Sequence, residues 1–144
     1  MKSLVLLMLL CVGCAEEPDR LVGATTADGR FKLSLEAVDD WVRPGFSLPV
    51  KVRVESLLGP LTEPWQAELE LVANNGDVSS SSIDVEFDGI AEDEIADMGD
   101  SVFEKWITFE AESRVATTAQ GEIHALFLGE VVALKIRIEP GLAE

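Results

Sequence analysis

The sequence predicts an all-β fold: a two-layer, antiparallel β-sandwich of about seven or eight short strands. Three observations carry this. Apolar residues recur at every second position through most of residues 31–139, the period of a strand with one face buried. Gly- and Pro-containing breaks separate the periodic stretches, as turns do. No segment sustains the 3.6-residue apolar period of a long amphipathic helix.

Each element follows from its own residues. FKLSLEA (31–37) sets Phe31, Leu33, Leu35 and Ala37 on one face, and DDWVRPG reads as a turn punctuated by Pro44-Gly45. SLPVKVRVE (47–55) turns Leu48, Val50, Val52 and Val54 inward, with Lys51, Arg53 and Glu55 outward. LLGPLTEP is a loop, and WQAELELVA (65–73) aligns Trp65, Ala67, Leu69, Leu71 and Ala73 against Gln66, Glu68 and Glu70. Such alternation marks half-buried strands of an antiparallel sheet. A three-residue loop at Asn74-Asn75-Gly76 would pair Ala67 with Ile83 and Trp65 with Val85. The serine run 79–82 then lies beside Leu69 and Leu71, which makes a frayed or bulged edge, or a crossing to the other sheet. FDGIAEDEIADMGD (87–100) breaks the period; Ala91, Ile95 and Met98 fall at helical spacing behind a capping Asp88, so a short helical turn is expected. VFEKWITFEAE (102–112) and VATTA (115–119) resume strand character. A closing hairpin with Gly129-Glu130 in a type II′ turn would pair Phe127 with Val132, Ala125 with Leu134 and Ile123 with Ile136.

The amino terminus has a different character. Lys2 precedes the apolar stretch Leu4 to Val12, which is too short to span a bilayer and fits the n- and h-regions of a signal peptide. The stretch ends in Cys11-Val12-Gly13-Cys14. That ending resembles the lipobox of bacterial lipoproteins, although the family usually has Leu where Cys11 stands. The resemblance implies cleavage between Gly13 and Cys14, diacylglycerol on the Cys14 sulfur and a further acyl chain, such as palmitate, on its amine. Ala15, in place of an inner-membrane-retaining Asp, favours the outer membrane of the cell envelope, on its periplasmic or surface side. The organisation expected is therefore a signal peptide at 1–13, a lipidated, flexible tether at 14–30 and one domain at 31–144. The order of strands across 31–140, with the Pro44-Gly45 turn and the Gly121 opening of GEIHALFLG, resembles the immunoglobulin-like domains of bacterial surface proteins. It lacks the Cys…Trp…Cys signature of antibody domains, so the resemblance implies a fold and not an activity.

Composition narrows the function classes. The chain has 11 basic and 27 acidic residues and a formal net charge of −16. Loss of Lys2 with the signal would leave −17, a field that disfavours nucleic acid and anionic headgroups, so membrane attachment falls to the lipid. With Cys11 removed and Cys14 acylated, no disulfide is expected, and stability must come from packing. His124, the only histidine, is placed on the outer face of its strand with no positioned Ser or acid to make a triad. Asp88, Glu92, Asp93, Glu94, Asp97 and Asp100 could supply oxygens to Ca²⁺, but lack the spacing of a calcium loop, and read as a solvated acidic segment. Trp41 and Trp106 could form a sugar-stacking platform if they shared a face, whereas Trp65 falls on the inward period. The expectation is a non-enzymatic envelope lipoprotein without a cofactor, an interaction or structural module whose partners are the membrane, through its lipid, and another envelope protein. A binder of carbohydrate or calcium is the alternative.

Overall fold

The computed structural model describes residues 20–141 except 92 and 96; the expected signal peptide, Gly13 and Cys14 lie outside the described residues. Ten strands form two five-stranded sheets around one core, with no α-helix among the described residues. In chain order they are β1 (Leu21–Thr25), β2 (Phe31–Ala37), β3 (Trp41–Val42), β4 (Ser47–Ser56), β5 (Trp65–Asn74), β6 (Gly76–Val78), β7 (Ser82–Phe87), β8 (Val102–Ala111), β9 (Ala119–Phe127) and β10 (Glu130–Ile138). The first sheet runs β1-β2-β4-β8-β6 and the second β3-β10-β9-β5-β7. The period of two sets the layers. Leu33, Leu35, Val50, Val52, Val54 and Phe109 from the first sheet meet Leu69, Ile123, Ala125, Leu134 and Ile136 from the second, all buried. This is the β-sandwich-like arrangement that alternation demands.

Several expectations are corrected. Residues 21–30, read as tether, form β1 and its turn. Thr26 N–H bonds to the Phe31 carbonyl at 2.8 Å, and Asp28 Oδ1 accepts from the Thr26 hydroxyl at 2.6 Å and from Arg30 N–H at 3.1 Å. Gly29 closes the loop at φ 73°, where a side chain would be strained. The DDWVRPG turn contains β3, paired in parallel with β10 through Trp41↔Arg137 and Val42↔Ile138, so the second sheet is mixed. Among the described residues of 88–97 no α-helical turn forms; a 3-10 turn lies later, at Met98–Ser101, and Ile95 is 96% exposed. VATTA is not a strand except for Ala119, where β9 begins.

Both hairpin registers differ by two residues from those expected. The turn between β9 and β10 is Leu128-Gly129, with φ of 48° and 82°, a type I′ geometry. Phe127 therefore pairs with Glu130, Ala125 with Val132 and Ile123 with Leu134. A shift of two leaves each side chain on its own face, and Ile123 and Ile136 both stay buried. Likewise Ala67 pairs with Val85, not Ile83, and Trp65 with Phe87. The cause is a crossing. Asn75 adopts φ 57°, its side chain donating to the Gln120 carbonyl at 2.7 Å, and the chain leaves the second sheet to pair β6 with β8. It returns at the serine run, where Leu71 N–H bonds the Ser81 carbonyl at 2.8 Å.

Aromatic rings occupy the two ends of the core. At one end Phe31 stacks on Trp65 at 4.5 Å between centroids, with Phe87 and Phe127 around them. Toward the other, Phe109 is wholly buried beneath Gly76 and Gly121.

Candidate interaction surface

The sheets have four edges, and they are not equivalent. β3 is two residues long, β6 is three, and β7 carries Asp84 and Glu86 on its outward face. Short length and charge both deter a further strand. β1, LVGAT, has five residues and neither charge nor proline. Its pairing fixes which backbone groups are free. Ala37 N–H bonds the Arg20 carbonyl at 2.8 Å, and Thr26 N–H bonds the Phe31 carbonyl. In an antiparallel ladder bonded and non-bonded residues alternate, so Arg20, Val22, Ala24 and Thr26 turn their groups to β2. The N–H and C=O of Leu21, Gly23 and Thr25 point away from the sheet. Beside them runs a groove of ≈ 420 Å³ lined by Leu21, Gly23, Lys32, Ser34, Glu36 and Arg53 among others. Small Gly23 and Ser34, paired across the strands, make its floor. Lys51–Glu36 at 3.5 Å and Arg53–Glu104 at 3.4 Å are exposed ion pairs on the same outer face, each adding little stability.

The outer face of the second sheet bears Val72, Leu126 and Val131, all exposed. Val72 pairs with His124 and Leu126 with Val131. His124 is half-buried there, its Nε2 2.8 Å from Glu122 Oε2, while Gln120 donates to Glu122 Oε1 at 2.8 Å. His124 first, then Gln120, hold the Glu122 carboxyl below its ordinary range. The Thr26 hydroxyl first, then the Arg30 amide, lower Asp28 in the same way. These are polar chains along a strand and a turn.

The structure separates the two candidate indoles. Trp106 is 57% exposed on the outer face of the first sheet, with Lys51 Nζ 5.8 Å from its ring centroid. Trp41, paired with Arg137 while Val42 turns inward, lies on the outer face of the second sheet. They occupy opposite sides of the molecule and form no common platform. Trp65 belongs to the core. Among the described residues no group of three or more His, Cys, Asp or Glu side chains could hold a metal ion. Asp88, Asp93, Asp97 and Asp100 lie along one segment and Glu92 is outside the described residues; Asp100 Oδ2 accepts from Asp97 N–H at 2.8 Å. The β1 edge escaped the sequence reading, though Asp28-Gly29 before Phe31 is a hairpin signal.

The chain matches no family model and no curated protein.

Proposed function

We propose that this protein is a lipid-anchored, non-enzymatic module of the bacterial cell envelope, in which an immunoglobulin-like sandwich is held through Cys14 and engages an extended segment of another envelope protein along β1. The observation that carries the interaction is the outward row of backbone groups at Leu21, Gly23 and Thr25, in the one long edge strand without a charge or proline. A strand added there would gain main-chain hydrogen bonds, and the adjoining groove would receive its alternate side chains. The anchor rests on Gly13-Cys14 following a basic residue and a short apolar run.

Two measurements test the reading. Mass spectrometry of the membrane fraction should find more than about 0.5 kDa of acyl mass on Cys14, as two or three chains require; an unmodified Cys14 rejects the anchor. A photo-crosslinking residue at Thr25, introduced in the native cells, should trap a protein adduct that the same residue at Glu86 does not. Equal yields at the two positions reject the β1 edge.

A further inference from the structure

We infer that the partner strand carries an aromatic side chain opposite Gly23, and that Leu21, Gly23, Lys32 and Ser34 form the seat of that ring. The inference rests on the β1 edge proposed above and adds the chemistry by which its partner is recognised. Three observations lead to it.

The first is a gap in the outer face of the first sheet. Leu21, Gly23 and Thr25 lie on that face, in register with Glu36, Ser34 and Lys32 of β2. The Gly23 N–H and C=O point off the edge, so an antiparallel residue placed opposite forms a hydrogen-bonded pair with it and sets its side chain on the same face. With strands about 4.8 Å apart, the next side chain in that row, Ser34, is about 9–10 Å away. Between them lies the groove of ≈ 420 Å³. A Cβ on Gly23 would meet the Leu33 carbonyl at 3.1 Å, Ser34 Cβ at 3.5 Å and Lys32 Cε at 3.6 Å. The nearest of these belongs to the sheet backbone and not to the groove. An aromatic ring from a neighbouring strand is a known cover for an edge glycine.

The second is a cation aimed at the gap. Lys32 is in register with Glu55 of β4 but makes no ion pair with it; its stem reaches over β1 instead. Glu36 and Arg53, which also line the groove, are engaged by Lys51 at 3.5 Å and Glu104 at 3.4 Å. Among the described residues Lys32 has no carboxylate partner. An ammonium group is drawn to the face of an aromatic ring. The same sheet already holds such a pair: Lys51 and Trp106, in register on β4 and β8, set Nζ 5.8 Å from the ring centroid.

The third is what the groove disfavours. Its charged residues are Lys32, Arg53, Glu36 and Glu55, two of each sign, and Glu16, Glu17 and Asp19 precede β1 in the sequence. An acidic or a basic side chain would meet its own sign at one wall, so neither is selected. Leu21, 58% exposed, adds an apolar wall. A ring uses both that wall and the ammonium group; an aliphatic chain uses the wall alone.

The test uses the full lipidated protein in detergent micelles, with a photo-crosslinking residue at Thr25 or, as control, at Glu86. The probes are peptides Ser-Thr-Val-X-Val-Thr-Ser with X as Trp, Leu, Ala or Glu, the valines being set to meet half-buried Val22 and Ala24 on the inner face. Adduct yield at Thr25 should be several-fold higher for Trp than for any other X. Lys32→Met, which keeps the stem and removes the charge, should lower the Trp yield about two- to five-fold, as loss of an exposed cation–π contact does, and leave the Leu yield unchanged. Gly23→Val should equalise the four peptides, and an unchanged Tm shows that each variant is folded. Equal yields for Trp and Leu, a highest yield for Glu, or no adduct at Thr25 with any peptide overturns the inference. If Thr25 exceeds Glu86 without dependence on X, the edge reading stands and only the aromatic seat falls; equal yields at the two positions for every peptide defeat the edge reading itself.

Discussion

Gly121 can be tested as a spacer for the Phe109 ring rather than as a turn residue. A Cβ built on Gly121 would stand 2.6 Å from Phe109 Cζ, 3.2 Å from Cε1 and 3.3 Å from Ile138 Cδ1. Phe109 has no exposed surface into which to retreat. Gly121→Ala should therefore destabilise by about 1–3 kcal/mol as overpacking, against the strand propensity that favours Ala over Gly by about 0.5–1 kcal/mol. In a domain of this size that is roughly 4–12 °C in Tm. Phe109→Leu removes the atoms in conflict and leaves a partly filled space, costing about 1–2 kcal/mol alone. Together the two changes should cost less than their sum by at least about 1 kcal/mol. Gly76 supplies the control. Its Cβ would meet Phe109 Cζ at 2.4 Å but also the Glu110 backbone carbonyl at 2.5 Å, which no change at 109 removes. Urea unfolding of the two double-mutant cycles decides the matter. Additivity at Gly121 within about 0.5 kcal/mol, or coupling at Gly76 as large as at Gly121, refutes the reasoning.

Three further perturbations have defined outcomes. Leu128→Asn should raise stability by about 0.5–1 kcal/mol, since Asn tolerates the left-handed φ of 48° and Asn-Gly is the preferred type I′ pair; a lower urea midpoint contradicts that geometry. Thr25→Pro should cost about 1 kcal/mol or less, because the Thr25 N–H points off the edge, whereas Ala24→Pro should lose a bond to β2 and about 1–3 kcal/mol; equal losses would refute the assignment of free groups. The folded-state pKa values of Asp28 and Glu122 are lowered, so the stability these groups confer is present above their unfolded values and is lost as pH falls through the folded ones. Between pH 5 and 3, Asp28→Asn should lose less stability than the unaltered protein, and parallel curves would show that its hydrogen bonds contribute nothing.

The alternation of apolar and polar positions made the two layers legible, and it also explains which details were not. Faces repeat every two residues, so a register shifted by two satisfies burial as well as the true one. Ile123 opposite Ile136 and Gly121 opposite Ile136 bury the same apolar set. Steric fit decides between them: the observed register sets Gly121 opposite Ile136 and leaves room for Phe109 beneath it. The second hairpin's register is hidden in the sequence because three residues enter the other sheet as β6, and the αL bend at Asn75 that starts the crossing looks like an ordinary Asn-Gly turn. The short strands β1 and β3 look like tether and turn in the sequence because five and two residues are too few for a period to stand out.

Surface features were less legible for a related reason. An acidic run such as 88–100 is contiguous and could be seen directly, but a function built on it needs a counterpart, and its counterpart is assembled only by topology. Arg20 enters beside Ala37, Arg43 and Phe46 are pinned against Ala111, Arg114 follows that same strand, and Arg137 reaches Asp40 through the parallel β3–β10 pair. No sequence window contains more than one of these arginines within ten residues of another, so composition along the chain shows a uniformly acidic protein. The fold shows where its basic residues collect: these four arginines share the end at which β1 begins, among Asp39, Asp40, Asp77, Glu110, Glu112 and Glu139. The same entry point orders the unguarded β1 edge, because the strand that follows the tether is the one left without an outer neighbour. An anchor at Cys14 would therefore hold the Leu21 end of β1 nearer the bilayer than its Thr25 end, which lies at the end of the sandwich that carries the acidic loop.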